Sequence, residues 1–281
     1  MASPMRTISL PSGDQIPVLG QGTWGLGESR ARRSSEIAAL RRGLDIGMNL
    51  IDTAEMYANG DAEILVGEAI AGRREEVFLV TKVWPHHATR EGTVQACQGS
   101  LRRLNTDWID LYLLHWRGPV PLAETLEGFR DLRDAGLIRN WGVSNFDVSD
   151  LDELMSLSGS SPVATDQVLY NLSRRGPEFD LFPACRELGI PIMAYSPVEQ
   201  GRILGNPVLR DIATRLDASP VQVALAWVLR LDNICAIPRS GRPEHVYENH
   251  AALAIHLDRD ALAALDAEFP PPLHAQPLEV L

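Results

Sequence analysis

Asp52, Tyr57, Lys82 and His115 bring a carboxylate, a phenol, an ammonium and an imidazole to the ends of three consecutive strand-like runs. Asp52 closes NLID, and Tyr57 follows five residues later. Lys82 closes VFLVTK and His115 closes IDLYLLH. Together these groups can deliver a proton to a carbonyl oxygen. A phenol with its ordinary pKa of about 10 is a weak acid at neutral pH, and a nearby ammonium favours the phenolate and lowers that value. The carboxylate keeps the ammonium charged and oriented, and the imidazole can hydrogen-bond the same substrate oxygen. Protonation alone reduces nothing. Hydride must come from a cofactor, because no side chain supplies one. Taken singly, Asp52 reads as a cap, Lys82 as a surface lysine, His115 as a core histidine and Tyr57 as packing. Four coincident placements favour chemistry.

The elements that must position these residues alternate along the chain. RTISL and IPVLG, joined by the turn-forming PSGDQ, read as a hairpin. From GQGTWG onward, eight short, continuously apolar segments are each followed by helical character. The strands are predicted at GQGTW, MNLIDT, EEVFLVTK, DWIDLYLLHW, IRNWGVSNF, VATDQVLYN, IPIMAYSP and ICAIPRS. Ile37, Leu40 and Leu44 can share a helix face that Gly43 and Gly47 are expected to end. Ser149 or Asp147 is expected to cap the helix VSDLDELMSLS. Apolar parallel strands covered by helices, eight in number, predict an α/β fold, a (β/α)8 TIM barrel with an N-terminal hairpin cap and a short C-terminal tail. An open doubly wound sheet is the alternative, but the first strand lacks a GxGxxG entry into a helix. In a barrel every strand's C-terminal end opens on one face, so Asp52, Lys82 and His115 should be neighbours there.

Composition sets the outer bounds. The chain has 281 residues, 45% of them apolar, and no linker-like stretch divides it, so residues 1–281 are read as a single domain. A formal net charge of −11 gives no general attraction to nucleic acid or anionic membrane. Cys97, Cys185 and Cys235 are far apart and odd in number, which predicts free thiols and neither disulfides nor a metal site. The start MASPMRTISLPSG has no long apolar core, and no run approaches the roughly 20 apolar residues of a membrane span. A cytoplasmic monomer acting on a small molecule is expected.

The blocks IDTAEMYANGDAEILVGEAI, VFLVTKVW, LYLLHW, RNWGVSNF, TDQVLYN and AYSP together resemble the aldo-keto reductase family over almost the whole chain. The bacterial branch that reduces methylglyoxal and small aldehydes is the nearest in pattern. The resemblance implies a barrel and NADPH-dependent carbonyl reduction, with Tyr57 as proton donor and Asp52, Lys82 and His115 completing the site. It implies that Ser144, Asn145 and Gln167 hold the nicotinamide carboxamide and that Tyr195 stacks on the ring. Gly22, Thr23, Trp24, Asp52 and Ser196 fall on further cofactor positions. Arg239, Ser240, Glu248 and Asn249 match the adenosine phosphate segment. Alternatives within the chemistry are an NADP-dependent alcohol dehydrogenase and a ketose or diketo-acid reductase. A cofactor-bound sensor or auxiliary subunit is the alternative outside it.

Two departures bear on the cofactor. His245 stands where the family commonly has arginine, and a histidine is mostly neutral near pH 7. NADPH is still expected, with NADH a weaker alternative. The loop containing Val198, Gly201 and Arg202 is short, which predicts loose cover of the pyrophosphate and fast release. On the substrate side, Trp24, Trp84 and Trp116 beside His115 are expected to line a narrow apolar slot, with Asn59, His86 and His87 as candidate polar contributors. Leu273, His274 and Leu278 are candidate contacts from the tail.

Overall fold

The structure, a computed structural model, describes residues 5–159 and 162–281. Two short strands, β1 (Thr7–Ser9) and β2 (Gln15–Pro17), form the antiparallel hairpin. Asn140 Nδ2 donates to Asp14 Oδ2 at 2.7 Å, and the Arg6 guanidinium donates to the carbonyl of Leu229. Asn140 lies near the start of a barrel strand and Leu229 ends the helix that leads into the last one, so the hairpin closes the N-terminal face and leaves the opposite rim open.

The barrel strands are β3 (Gln21–Gly22), β4 (Leu50–Asp52), β5 (Phe78–Val83), β6 (Ile109–Leu114), β7 (Ile138–Ser144), β8 (Asp166–Leu169), β9 (Ile192–Tyr195) and β10 (Ile234–Ala236). They pair in sequence order, all parallel. Parallel bridges Leu19–Ala236 and Gly22–Arg239 join the first strand to the last and close the ring. The eight strand predictions are therefore met, with narrower limits.

The covering helices are α1 (Arg33–Asp45), α2 (Asp61–Ile70), α3 (Arg90–Leu104), α4 (Leu122–Asp134), α5 (Val148–Ser158), α6 (Leu181–Leu188), α7 (Pro207–Arg215), α8 (Pro220–Leu229), α9 (Pro243–Ala251) and α10 (Arg259–Glu268). Several starts are fixed locally. Thr89, Asn206, Ser219 and Asp258 accept from backbone N–H groups of their own first turns, each cap worth about 1 kcal/mol. Of the two candidates for α5, Asp147 is the cap, and Asp150 returns the bond to complete a capping box.

Gly43 corrects an expectation. It lies inside α1 rather than ending it, and a Cβ there would sit 2.1 Å from the Gln21 amide. That amide donates to the carbonyls of Leu40 and Met48 at 3.1 and 2.9 Å, locking α1 against β3. Gly47, with φ +89°, does stand beyond the helix end.

Candidate active site

Register and the two-residue period of strands decide which side chains meet. Asp52 pairs with Val80, and Lys82 lies two residues further on. Lys82 pairs with Leu113, two residues before His115. Leu113 pairs with Gly142, two before Ser144, and Ser144 pairs with Gln167. Gln167 pairs with Met193, two before Tyr195. Steps of two keep one face, so Asp52, Lys82, His115, Ser144, Gln167 and Tyr195 all point into the mouth of the barrel.

There Lys82 Nζ donates to Asp52 Oδ2 at 2.8 Å, to the Thr53 carbonyl at 2.8 Å and to Tyr57 Oη at 3.1 Å. The Gln167 amide donates to the other Asp52 oxygen at 2.7 Å. The ion pair is 0% exposed at Lys82 and 3% at Asp52. Burial raises the Asp52 pKa and lowers that of Lys82, and in both cases the partner's charge opposes the shift. At that separation the attraction holds the pair ionised.

Tyr57 behaves differently from expectation. Burial, with the Asp52 charge second, pushes its pKa well above the ordinary phenol value. The Lys82 ammonium therefore does not make Tyr57 a stronger acid in the resting site. Tyr57 stands as a neutral O–H donor, and Lys82 is placed to stabilise the phenolate as it forms.

His115 lies against Tyr57, ring centroids 5.6 Å apart. Burial, then the Lys82 charge, lowers its pKa well below the usual histidine value, so the ring is neutral. Its Nδ1 is buried without a hydrogen-bond partner. An unpaired lone pair is the less costly choice there than an unpaired N–H, so the proton is assigned to Nε2. His115 is thus a neutral donor.

Around this core the cofactor candidates form one network. Ser144 Oγ donates to the Gln167 carbonyl at 2.8 Å, and Asn145 Nδ2 donates to Ser144 Oγ at 3.0 Å and to the His115 carbonyl at 3.1 Å. Tyr195 Oη donates to Asn145 Oδ1 at 2.9 Å. This set of amides and hydroxyls beside an aromatic ring has the chemistry to hold a carboxamide and stack a flat ring. Gly22 approaches the Ile237 carbonyl so closely that a Cβ would sit 2.6 Å from it. The Thr23 hydroxyl is committed to the Asp52 carbonyl at 2.9 Å.

Further out, Arg239 is exposed, donating to the Gly25 carbonyl at 3.0 Å. Ser240 Oγ bonds the Arg242 backbone, His245 is exposed in the first turn of α9, Glu248 is half-buried and Asn249 is buried. Val198, Gly201 and Arg202 share a single-turn loop in which Ser196, Glu199 and Gln200 have left-handed backbones. Buried Glu199 ties that loop down, accepting from Asn171 at 2.8 Å, Arg202 at 2.7 Å and Arg174 at 3.1 Å. Arg202 is therefore already paired.

Of the aromatic candidates, Trp24 meets Tyr57 at 5.1 Å between centroids and Trp116 meets His115 at 4.8 Å. Trp24 is 55% exposed, an open wall for the slot. The Trp84 ring packs instead on His86 and His87, at 4.6 and 5.6 Å. Glu55, which sequence reasoning passed over, accepts from the Trp84 backbone at 2.7 Å and lies 3.1 Å from His87 Nδ1. Asn59 points to solvent in a left-handed backbone. In the tail, Leu273 and His274 are exposed, while Leu278 packs on the core and Glu279 pairs with Arg174. Of the three tail candidates, Leu278 is the covered one, and it packs on the hydrophobic core.

Comparison with known proteins agrees with the geometry. Residues 18–268 match the model of the aldo/keto reductase family. A methylglyoxal reductase of Escherichia coli strain K12, YeaE, is 49% identical over 93% of this chain and 94% of its own length. A second methylglyoxal reductase of that strain, DkgA, is 33% identical over 94% of both chains. Among solved structures, an aldo/keto reductase from Klebsiella pneumoniae, in complex with NADP and acetate, superposes with a TM-score of 0.94. It is 44% identical and covers 99% of this chain and 100% of that one. The barrel, its converging rim residues and these likenesses lead to one conclusion: the chain belongs to the aldo/keto reductase family.

Proposed function

We propose that this protein reduces small aldehydes and α-dicarbonyls of the methylglyoxal type to alcohols with NADPH, NADH serving less well. The observation that carries the reading is the bonded chain Asp52–Lys82–Tyr57, closed on its open side by the neutral ring of His115. The likeness to methylglyoxal reductases supports the substrate class. The likeness to a structure holding NADP supports the cofactor.

Ser144, Asn145 and Gln167 would hold the carboxamide, and Tyr195 would lie along the nicotinamide face. Asp52 offers its carboxylate edge at the same rim, beside Gly22, Thr23 and Trp24. Ser196, Val198, Gly201 and Arg202 would border the pyrophosphate. Arg239, Ser240 and His245, with Glu248 and Asn249 behind them, would take the adenosine end. When bound, NADPH supplies the hydride. The substrate oxygen then lies between Tyr57 Oη and His115 Nε2. His115 donates a hydrogen bond that orients the carbonyl and stabilises the oxygen as it gains charge. Tyr57 gives its proton to that oxygen, and Lys82, held by Asp52, stabilises the phenolate left behind. Trp24 and Trp116 exclude water and favour small or flat substrates, with Trp84 at the margin. Among the described residues no helix is long and apolar enough to cross a membrane. A cytoplasmic monomer with a small-molecule partner is the simplest setting.

The test is NADPH oxidation against methylglyoxal, aromatic aldehydes, ketoses and diketo acids, with each alcohol tried in reverse using NADP⁺ and NAD⁺. Methylglyoxal-type compounds should give the highest kcat/KM, and Tyr57→Phe should abolish turnover while leaving NADPH binding near normal. Full-rate reduction by that variant would remove Tyr57 from the mechanism.

A further inference from the structure

Tyr57 and Lys82 reach their contact from different elements, and the loop that carries Tyr57 is not relaxed. Ala58, Asn59 and Gly60 follow it with φ of +49°, +53° and +93°, three left-handed residues in succession. For the two that are not glycine such a backbone is unfavourable, and it persists only where the surroundings hold it. Yet the Nζ–Oη separation of 3.1 Å depends on where this loop sits.

Behind the site, on the helix side of β5, lies a group outside the mechanism. Glu63, on the first turn of α2, is fully buried. Its Oε1 accepts from Thr81 Oγ1 at 2.6 Å, and Thr81 is the residue before Lys82. Its Oε2 accepts from Arg103 Nε at 2.6 Å, from α3. The Arg103 side chain lies on Gly60: a Cβ at Gly60 would stand 2.7 Å from Arg103 Cδ. One carboxylate thus joins the strand of Lys82, the helix that starts directly after the Tyr57 loop, and the arginine that covers the end of that loop. A buried carboxylate is costly unless bonded and paired, and Glu63 has both bonds.

We propose that Glu63, with Arg103 and Thr81, is a positioning residue that sets the Tyr57–Lys82 distance and supports the charge on Lys82. This rests on the carbonyl-reductase reading above. The charged and titratable groups within electrostatic reach of Glu63 are Arg103 and Cys97 from α3, Tyr112 from β6 and Lys82 from β5. Lys82 itself is faced by Asp52, Tyr57 and His115. Loss of a proton from the Lys82–Tyr57 pair makes it more negative, whichever of the two releases it. A nearby carboxylate opposes that loss, so its removal must make the pair deprotonate at lower pH.

The experiment compares wild type, Glu63→Gln and Thr81→Val with methylglyoxal and NADPH. Wild-type turnover and its loss in Tyr57→Phe decide the functional reading first, independently of Glu63. Glu63→Gln should then lower kcat roughly ten- to a hundredfold, the scale of a small misplacement of a reacting group. NADPH affinity and KM should change less than about twofold, since no contact to either ligand is altered. The alkaline limb of kcat should move to lower pH. Glu63→Asp, which keeps the charge, should recover the limb but not the full rate. Thr81→Val leaves the Glu63–Arg103 pair intact, so it serves if Glu63→Gln does not fold. It should lower kcat severalfold at unchanged NADPH affinity. Variants that lose only thermal stability, with kcat per folded enzyme and the alkaline limb as in wild type, would overturn the proposal.

Discussion

Replacing Lys82 by Met keeps the volume of the side chain and removes one charge, 3.1 Å from the Tyr57 oxygen. A unit charge pair at that distance interacts by about 5 kcal/mol at an effective dielectric of about 20. In the transition state the phenol has given up only part of its proton, so roughly half of that is at stake, about 2–3 kcal/mol. At about 1.4 kcal/mol per decade this lowers kcat on the order of a hundredfold. The full value is approached only where the proton has moved completely.

The same change strips Asp52 of its counter-ion, leaving the Gln167 amide bonded to its other oxygen. Burial already raises the Asp52 pKa, and the Lys82 charge is the largest influence holding it down. Without that charge the folded-state value rises further, so Asp52 takes up a proton in the folded variant. A raised carboxylate pKa stabilises the fold most below the unfolded value and is a growing burden as pH rises towards the folded one. Lys82→Met should therefore lose stability more steeply than wild type as pH rises above the unfolded carboxylate value of about 4. Asp52→Asn in the same chain should remove that slope without restoring turnover. Single-turnover NADPH oxidation reads the chemical step, tryptophan fluorescence reads cofactor binding, and thermal melts at several pH values read the linkage. A Lys82→Met enzyme within about threefold of the wild-type kcat would refute the charge argument, because half of one decade is only about 0.7 kcal/mol, well under the roughly 2–3 kcal/mol at stake.

Three further outcomes follow from the site. His115, held neutral by burial and by Lys82, should give no acid-side limb to kcat/KM near the ordinary histidine value of about 6.5. Its depressed pKa instead makes stability fall as pH drops below that value, and His115→Gln should flatten the fall in thermal melts. His245 is exposed in the first turn of α9, so His245→Arg should raise the NADPH-over-NADH ratio of kcat/KM by roughly tenfold through a charge-assisted phosphate contact. An unchanged ratio would locate the discrimination in Arg239 alone. Asp166, buried with Oδ2 unpaired and its pKa raised well above the carboxylate range by burial, costs stability as pH rises. Asp166→Asn should raise the melting temperature at neutral pH more than at pH about 4.

Much of this was legible in the chain because apolar runs and polar strand ends are strong signals. The eight strands and the convergence of Asp52, Lys82 and His115 follow from patterning and from the parallel barrel. What patterning misses is set by tertiary contact. Gly43 looked like a helix end, but its missing Cβ makes room for Gln21, a residue far away in the chain. The left-handed turn after Tyr57 is half announced by Asn59–Gly60, while nothing in an alanine signals the φ of +49° at Ala58. Leu273 and Leu278 are alike in sequence, and only the approach of the tail to Arg174 decides that Leu278 is the one covered. Proximity of Tyr57 to an ammonium can be read from placement, whereas the depth of burial that raises its pKa cannot.

Asp52 and Asp166 show where the reading of polar residues in strands has its force. Both are carboxylates in barrel strands, both are buried, and burial raises the pKa of each. Asp166 stands one residue before Gln167, so the strand period turns it to the helix side, where the Phe146 N–H reaches it at 3.5 Å and one oxygen is left unpaired. Asp52 stands on the inward face, with Lys82 on one oxygen and Gln167 on the other. A buried ion pair is weak support for a fold, since packed apolar residues of the same volume do as well or better. Its placement within reach of a phenol therefore has to be explained by the reaction. It follows that burial of an acid does not mark a site in this barrel. Facing direction and a bonded counter-ion do, and by that criterion Asp52 belongs to the chemistry and Asp166 does not.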